Sequence, residues 1–330
     1  MKKIDWTKYD VKAPWELLPE DLATPDPASQ PKWKIPEKVA IQCAISGGGS
    51  HLSKKENPNH PGNLDEILAS AEEVIKEGAT LVHFDHMVHA CHTKDGKEIP
   101  VDESYTYVVK PLLEKYGREK LCPHINILRG TFQQQMAPVV NGIAEISYMT
   151  PRFSQNWIRS TAEVLNEYNV KAEIVIHINP EIDFADRVLF RTGLMKPPCL
   201  WIILPAAPSR PDFFSEYMPN ERAMCRRLVS IVEEIKMFDP GAFIVVCCSG
   251  RASKYLITLA MLLGIHVRVG MEDTVWRYPH KDEMIKSNAQ EVREATEIAK
   301  MLGREKMTPN EYREAIGLKP RFDYLPEGMK

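Results

Sequence analysis

The sequence predicts an α/β protein built as a (β/α)8 TIM barrel, and three observations support this prediction. From residue 39 onward, short runs rich in Val, Ile and Cys alternate with amphipathic stretches. Such continuously apolar runs are typical of parallel strands covered by helices on their outer face. Eight of these units in about 280 residues fit a closed barrel better than an open sheet. The glycine-rich segment 46–50 lacks the spacing of a dinucleotide or P-loop site, which an open nucleotide-binding sheet usually shows at its first turn.

The predicted elements follow one another in a regular order. The strands share a core of β-branched residues and cysteine, and they are Val39–Ile45, Thr80–Asp85, Cys122–Leu128, Ile143–Met149, Ala172–His177, Cys199–Leu204, Ala242–Cys248 and Ile265–Gly270. The helices share apolar positions at three- and four-residue spacing, and they include Leu64–Glu77, Val101–Tyr116, Ser154–Tyr168, Glu221–Phe238 and Ala252–Leu263. Pro111 is expected to kink or split the second of these helices.

The two ends of the chain differ from this repeating part. Residues 1–38 carry Trp6, Trp15 and Trp33 among many prolines, and this composition predicts an extended N-terminal arm. The barrel domain is expected to cover residues 39–320, followed by a tail at 321–330. Thr308 to Glu311 has the spacing of a capping box with proline at the first helical position, which predicts an extra C-terminal helix.

Composition narrows the class of protein. The chain has 330 residues, of which 44% are hydrophobic and 26% charged, as in ordinary globular proteins. A net charge of -3 gives no basis for binding nucleic acid or a membrane surface, and no apolar run approaches the roughly 20 residues of a membrane span. There is no apolar signal core at the N-terminus, and seven cysteines show no disulfide spacing. A cytoplasmic location is therefore predicted.

The last predicted strand ends in two adjacent carboxylates, Glu272 and Asp273, which follow a glycine. Two neighbouring acids repel each other, and this repulsion is best offset by a cation, a metal or a ligand. The alternative is that they cap the next helix. The second predicted strand also ends in polar residues, and His83 and Asp85 lie on the same face of a strand because side chains alternate. Together the two strand ends predict a shared metal or acid–base site.

In a barrel of this kind, active-site groups lie at the carboxyl ends of the strands. Seven of the eight predicted strand ends carry a titratable or hydrogen-bonding side chain where burial alone would favour an apolar one. They include Arg129, Tyr148, His177 and Arg251 in addition to the two acidic ends. This pattern predicts an enzyme without naming its reaction.

The chain resembles the β-keto acid cleavage enzymes, whose known member is the 3-keto-5-aminohexanoate cleavage enzyme. The resemblance runs from about residue 39 to 320 and is carried by four segments, which are 266–273, 287–290, 302–309 and 249–251. It implies a zinc-dependent TIM barrel, commonly oligomeric, that converts a β-keto acid and acetyl-CoA into acetoacetate and a new acyl-CoA. It further implies that Glu272 is a metal ligand, Asp273 the general base and Arg268 its charge partner.

The second strand departs from the family pattern, which is His-x-His with both histidines bound to zinc. This chain has His83-Phe84-Asp85, so either Asp85 is the second ligand or a bulge brings His86 into the site. A site of His83, Asp85 and Glu272 would be harder and more anionic, which favours Mn²⁺, Fe²⁺ or Mg²⁺ relative to a two-histidine zinc site. Three further residues of the family pattern are also replaced. The glutamate after the first strand corresponds to Gly49, the serine of the third strand to Leu128, and the threonine of the fourth strand falls near Tyr148.

Three functions remain compatible with these residues. The first is the metal-dependent cleavage of a β-keto acid with acetyl-CoA, in which Arg251 or Arg129 pairs with a substrate carboxylate. The second is a CoA-independent lyase or isomerase acting on a carboxylated carbonyl compound, suggested by the changed serine and threonine positions. The third is a ligand-binding barrel without catalysis, although a site without a reaction gains nothing from clustered charges. A homo-oligomer is expected in each case.

Overall fold

The structure, a computed structural model, describes residues 2–9, 31–47, 53–85, 91–204, 220–247 and 250–323. The chain forms two compact units, Met1–Ile35 and Pro36–Lys330. In the first unit, the described residues include one 3-10 helix, Trp6–Lys8, whose start is capped when Asp5 Oδ1 accepts a hydrogen bond from the Thr7 backbone at 3.2 Å. The second unit contains the sheet and the helices described below.

The second unit is a closed, all-parallel barrel, as the sequence predicts. Its strands are β2 Ile41–Ala44, β3 Leu81–Asp85, β4 Pro123–Asn126, β5 Ile146–Met149, β6 Lys171–Ile176, β7 Leu200–Ile203, β8 Phe243–Cys247 and β9 His266–Val269. Each strand pairs with the next, and β9 pairs with β2 to close the ring. Outside the barrel, β1 Lys38–Val39 pairs in parallel with β10 Glu305–Lys306.

Helices connect the strands and cover the outside of the barrel. They are α1 Leu64–Lys76, α2 Val101–Lys120, α3 Phe132–Val140, α4 Gln155–Glu167, α5 Pro180–Ala185, α6 Glu221–Phe238, α7 Ser253–Leu262, α8 Asn288–Met301 and α9 Pro309–Ala315. A π-helical turn, Asp186–Phe190, continues α5, and a 3-10 turn, Gly250–Ala252, precedes α7. No helix in these ranges combines the length and the apolar character that crossing a bilayer requires.

The prediction that Pro111 interrupts the second helix is wrong. The non-helical residue inside α2 is Gly117, with φ 69° and ψ 170°. A positive φ of this kind is accessible to glycine at little cost because it has no Cβ. Pro111 is exposed, so its ring and the missing backbone donor are accommodated on the solvent side without ending the helix.

The core has two layers, because alternate strand residues face the helices and the barrel interior. The outer layer is apolar and packs the strands against the helices. The inner layer begins as a small apolar cluster that includes Leu81, Cys122 and Ile146. Further along the strands, buried polar side chains take its place, and they are Gln42, His83, Asp85, His124, Asn126, Glu173 and Arg268. The barrel interior therefore changes from apolar to polar toward the carboxyl ends of the strands.

The predicted C-terminal helix, α9, lies at the amino end of the barrel. Thr308 and Glu311 form the expected capping box. Arg313 Nε donates a 2.6 Å hydrogen bond to Glu145, which precedes β5, and Arg118 Nη1 donates one of 2.5 Å to the same carboxylate. Both arginines are fully buried, so Glu145 balances charges that would otherwise be costly to bury.

The imidazole of His266 makes the stability of the barrel sensitive to acid. Burial lowers the pKa of His266 to about 3, and the positive charge of Arg304 adds to this effect. A histidine in an unfolded chain has a pKa of about 6.5. Between this pH and about 3, the unfolded chain binds a proton at His266 that the folded chain does not bind. Folding free energy is therefore lost as the pH falls from about 6.5 toward 3.

We expect His266→Gln to reduce this pH dependence, because glutamine keeps an acceptor for the Ala40 backbone N–H without titrating. The free energy of unfolding can be measured with urea at several pH values between 7 and 4.5. Its slope against pH should be smaller in His266→Gln than in the wild type, by up to about 1.4 kcal/mol per pH unit. The control is His280→Gln, at an exposed position. Equal slopes for the wild type and His266→Gln would contradict this account.

Candidate metal centre and active site

Two strand ends that lie far apart in sequence bring three metal-capable side chains together. His83 and Asp85 are on β3 and point to the same side, and Glu272 follows β9. Each residue offers a ligand atom within 4.8 Å of the other two, and all three side chains are buried. His83 Nε2 lies 3.2 Å from Glu272 Oε2. His86, the alternative second ligand, lies outside the described residues.

The turn after β9 places Glu272 through close backbone contacts. Gly270 has φ 127°, and a Cβ there would stand 2.1 Å from the carbonyl oxygen of Ala44, so only glycine lets the two segments approach. The Glu272 N–H then donates to the same oxygen at 3.3 Å. Asn288 holds this turn, because its Oδ1 accepts from the Met271 N–H at 2.7 Å while its Nδ2 donates to the Ile45 carbonyl at 2.9 Å.

Arg268 and Asp273 form a two-pronged ion pair beside these ligands. Arg268 Nη2 donates to Asp273 Oδ1 at 2.6 Å and its Nε donates to Oδ2 at 3.0 Å. The same Nη2 lies 3.3 Å from Glu272 Oε1 and 3.3 Å from the sulfur of Cys247. Burial lowers the pKa of Arg268, but Asp273, Cys247 and Glu272 outweigh this effect and raise it, so the guanidinium stays charged.

Gly47 provides the space that the Glu272 carboxylate occupies. A Cβ at residue 47 would stand 2.4 Å from both Cδ and Oε2 of Glu272. Side chains do not approach each other this closely, so any residue larger than glycine would force the carboxylate to move. The fit between the two residues positions Glu272 toward His83.

The electrostatics of Glu272 favour a cation beside its carboxylate. Burial raises the pKa of the Glu272 carboxyl, Arg268 opposes this rise and Asp273 adds to it. A cation bound by Asp85 and Glu272 would offset the repulsion between these two carboxylates and would stabilise the ionised form of Glu272. One imidazole and two carboxylates are a donor set used for Zn²⁺, Mn²⁺ and Fe²⁺, so the residues present fit a divalent metal.

A buried polar layer supports the ligands from inside the barrel, and sequence reasoning did not single it out. The rings of His83 and His124 meet edge to face with centroids 4.4 Å apart. His124 Nδ1 lies 3.6 Å from Glu173, and Gln42 Nε2 donates to the hydroxyl of Tyr312 at 3.0 Å. Burial raises the pKa of Glu173 to about 7 and lowers that of His124 well below its usual value. The signal available in the sequence was a polar residue inside an otherwise apolar strand, as at Gln42, His124 and Glu173.

The structure does not support helix capping by Glu272 and Asp273. The next helix along the chain in the described ranges, α8, begins at Asn288, and its cap is Ser287, whose side chain accepts from the Gln290 N–H. The two acids instead face β3 and Arg268.

The two arginines predicted to bind substrate lie in different surroundings. Arg129 is exposed just after β4. Arg251 is on the turn after β8, where its Nη2 donates to Asp282 at 2.6 Å and its guanidinium lies over the ring of Trp276 at 3.7 Å. The structure therefore leaves Arg129 facing solvent, whereas Arg251 is engaged by a neighbouring loop.

Comparison with known sequences relates this chain to one enzyme family. The sequence profile of the beta-keto acid cleavage enzyme family matches residues 38–318. A 3-keto-5-aminohexanoate cleavage enzyme from Fusobacterium nucleatum is 29% identical over 300 residues, which cover 86% of this chain and 99% of that protein. A 3-dehydrocarnitine:acetyl-CoA trimethylamine transferase from Rhizobium meliloti is 25% identical, with coverage of 86% and 98%.

Comparison with solved structures supports the fold. The complex of ObcA with oxaloacetate superposes with a TM-score of 0.62 at 16% identity, covering 79% of this chain and 68% of ObcA. At this identity the likeness shows a shared barrel fold and nothing more specific.

Proposed function

Because the chain belongs to the beta-keto acid cleavage enzyme family, we propose that it converts a β-keto acid and acetyl-CoA into acetoacetate and a new acyl-CoA. The observation that carries this proposal is the meeting of His83, Asp85 and Glu272 beside the ion pair of Arg268 and Asp273. The name of the Rhizobium relative includes acetyl-CoA as a substrate, which supports the same second substrate here.

In this proposal His83, Asp85 and Glu272 hold a divalent cation. Zn²⁺ is expected from the family, and Mn²⁺ or Fe²⁺ also suits the carboxylate of Asp85. When bound, the cation supplies a Lewis acid that polarises the keto oxygen of the substrate. Gly47 and Asn288 contribute indirectly, because they fix the position of Glu272 and of the turn that carries it.

Asp273 is proposed to remove the proton next to the keto group. Arg268 contacts both of its oxygens, so the orientation of the carboxylate is fixed. A base held in this way contributes through its position as well as its charge. Arg268 also touches Glu272, so a single guanidinium orients the base and one ligand.

Substrate carboxylates are proposed to pair with Arg129 or Arg251. Arg129 can do so from its exposed position after β4. Arg251 would first have to release Asp282, which makes Arg129 the better candidate in this structure. We further propose a homo-oligomer in the cytoplasm.

The test is an assay of purified protein with a divalent metal, acetyl-CoA and a panel of β-keto acids, in which acetoacetate and the new acyl-CoA are measured by mass spectrometry. Equal amounts of the two products support the proposal. Cleavage that proceeds equally well without acetyl-CoA would favour a CoA-independent lyase. No product from any acid, with metal bound, would reject the cleavage reaction.

A further inference from the structure

The side chain of Cys247 lies beside the ion pair of Arg268 and Asp273. Cys247 is on β8, and its register partner on the neighbouring strand β9 is Arg268. It belongs to the inner layer of the barrel and is fully buried. Its Sγ accepts a hydrogen bond from Arg268 Nη2 at 3.3 Å, and the same nitrogen donates to Asp273 Oδ1 at 2.6 Å. One nitrogen of the guanidinium therefore contacts both the sulfur and the carboxylate of the proposed base.

The thiol of Cys247 also contacts the Asp273 carboxylate. Burial raises the pKa of this thiol well above its usual value; Arg268 opposes the rise, whereas the charge of Asp273 and a hydrogen bond with its side chain add to it. A protonated thiol is a donor and a carboxylate is only an acceptor, so the S–H group donates to Asp273. Cys247 thus accepts from one member of the ion pair and donates to the other.

The Asp273 carboxylate has room for this third donor. Arg268 donates to each of its two oxygens, and an ionised carboxylate offers about four lone-pair directions. The two bonds from Arg268 and the one from the thiol therefore leave a direction in which Asp273 can take up a substrate proton. A carboxylate held by Arg268 alone can swing together with that flexible side chain, whereas a contact with Cys247 ties it to β8.

The segment that follows β8 holds the backbone of Asp273 as well. The Gly250 N–H donates to the Asp273 carbonyl at 3.1 Å, and the Gly250 carbonyl accepts from Thr274 Oγ1 at 2.7 Å. The main chain of Asp273 is therefore fixed by Gly250, and its carboxylate by Cys247 and Arg268. Such alignment matters because a base works only when it points at the proton it removes.

We propose that Cys247 is a positioning residue for the general base, and that its thiol holds the Asp273 carboxylate in the orientation that removes the substrate proton. The inference rests on the proposed function, because it takes Asp273 as the base. The thiol acts through Asp273 and Arg268, and it lies outside the metal donor set of His83, Asp85 and Glu272.

The experiment measures proton removal separately from cleavage. Acetoacetate is itself a β-keto acid, so the metal-loaded protein is incubated with it in deuterium oxide without acetyl-CoA, and exchange of the protons between its two carbonyl groups is followed by NMR. We expect Cys247→Ala to lower kcat for exchange by about 3- to 10-fold, the usual cost of a lost hydrogen bond, with KM near wild type. Cys247→Ser should keep at least about half of the wild-type kcat, because a hydroxyl group also donates and accepts.

The matched control is Cys122→Ala. Cys122 is also fully buried in the inner layer, but the charged groups around it are Glu145 and arginines at the amino end of the barrel. The control should exchange protons as fast as the wild type. The proposal is overturned if a folded Cys247→Ala variant stays within a factor of about two of the wild type, if Cys122→Ala is slowed equally, or if serine does not restore the rate.

Infrared spectroscopy tests the contact without any turnover. The S–H stretching band of Cys247 is identified by its loss in Cys247→Ser, and it should move to higher frequency in Asp273→Asn, because a neutral amide oxygen is a weaker acceptor than a carboxylate. A band that does not move would also overturn the proposal. If exchange and the infrared band behave as expected but no β-keto acid of the panel is cleaved, the positioning function stands and the proposed reaction fails. A wild type that neither exchanges protons nor forms acetoacetate would reject both.

Discussion

Replacing Asp273 by asparagine is expected to lower kcat for acetoacetate formation by about 10²- to 10⁴-fold, the usual contribution of a positioned general base. Asparagine has nearly the same shape as aspartate, and its carbonyl oxygen can still accept a hydrogen bond from Arg268. It cannot take up the substrate proton. Metal content should remain near wild type, since Asp273 lies outside the three ligand candidates.

A matched control separates loss of the base from loss of an ion pair. Glu77 accepts from Arg293 on the outside of the barrel, so Glu77→Gln makes the same type of carboxylate-to-amide change in a surface ion pair outside the site. It should leave kcat within a factor of about two, as surface ion pairs contribute little. A rate for Asp273→Asn within a factor of about three of wild type would rule out this residue as the base.

Replacing Gly47 by alanine is expected to weaken metal binding by about 10- to 100-fold, the range seen when the groups that orient metal ligands are disturbed. The added methyl group would stand 2.4 Å from the Glu272 carboxylate, so this side chain has to turn away from His83. The metal dissociation constant can be measured by competition with a chelator of known affinity.

The control for this variant is Gly241→Ala. Gly241 also lacks a positive φ, and a Cβ there would meet Pro198 at 3.1 Å, far less closely than at Gly47. It should keep wild-type metal affinity. If Gly47→Ala also binds metal as tightly as wild type, the close fit between Gly47 and Glu272 has no part in forming the site.

The fold could be read from the sequence because each strand and most helices carry a local signal. Each barrel strand lies within or beside its predicted run, and Glu221–Phe238 has the predicted bounds. The helix α3 was missed because it is short and contains Pro138, although Thr131 and Gln134 form a capping box at its start. The α5 segment was missed for a similar reason, since it has only six residues before the π-helical turn.

The candidate site was partly predictable for a different reason. His83, Asp85 and Glu272 stand at strand ends where an apolar residue would be expected. Their residue types alone therefore predict a metal or acid–base site. The function of Gly47 could not be read in the same way, because it depends on a side chain that approaches from residue 272. The position of Glu173 likewise has meaning only once the barrel closes and places it beside His124. Contacts between residues so far apart in the chain produce no motif or regular spacing by which the sequence could reveal them.

The most direct test of this account is the metal content of protein purified without chelators and without a metal-affinity step, measured by elemental mass spectrometry for the wild type, Glu272→Ala, Asp85→Ala and His86→Ala. We predict about one divalent ion per wild-type chain, since His83, Asp85 and Glu272 form a single buried donor set. The ion should be lost with Glu272 and with Asp85, and retained in His86→Ala. Wild-type protein that contains no metal and gains none on incubation, or full occupancy in Glu272→Ala, would contradict the account.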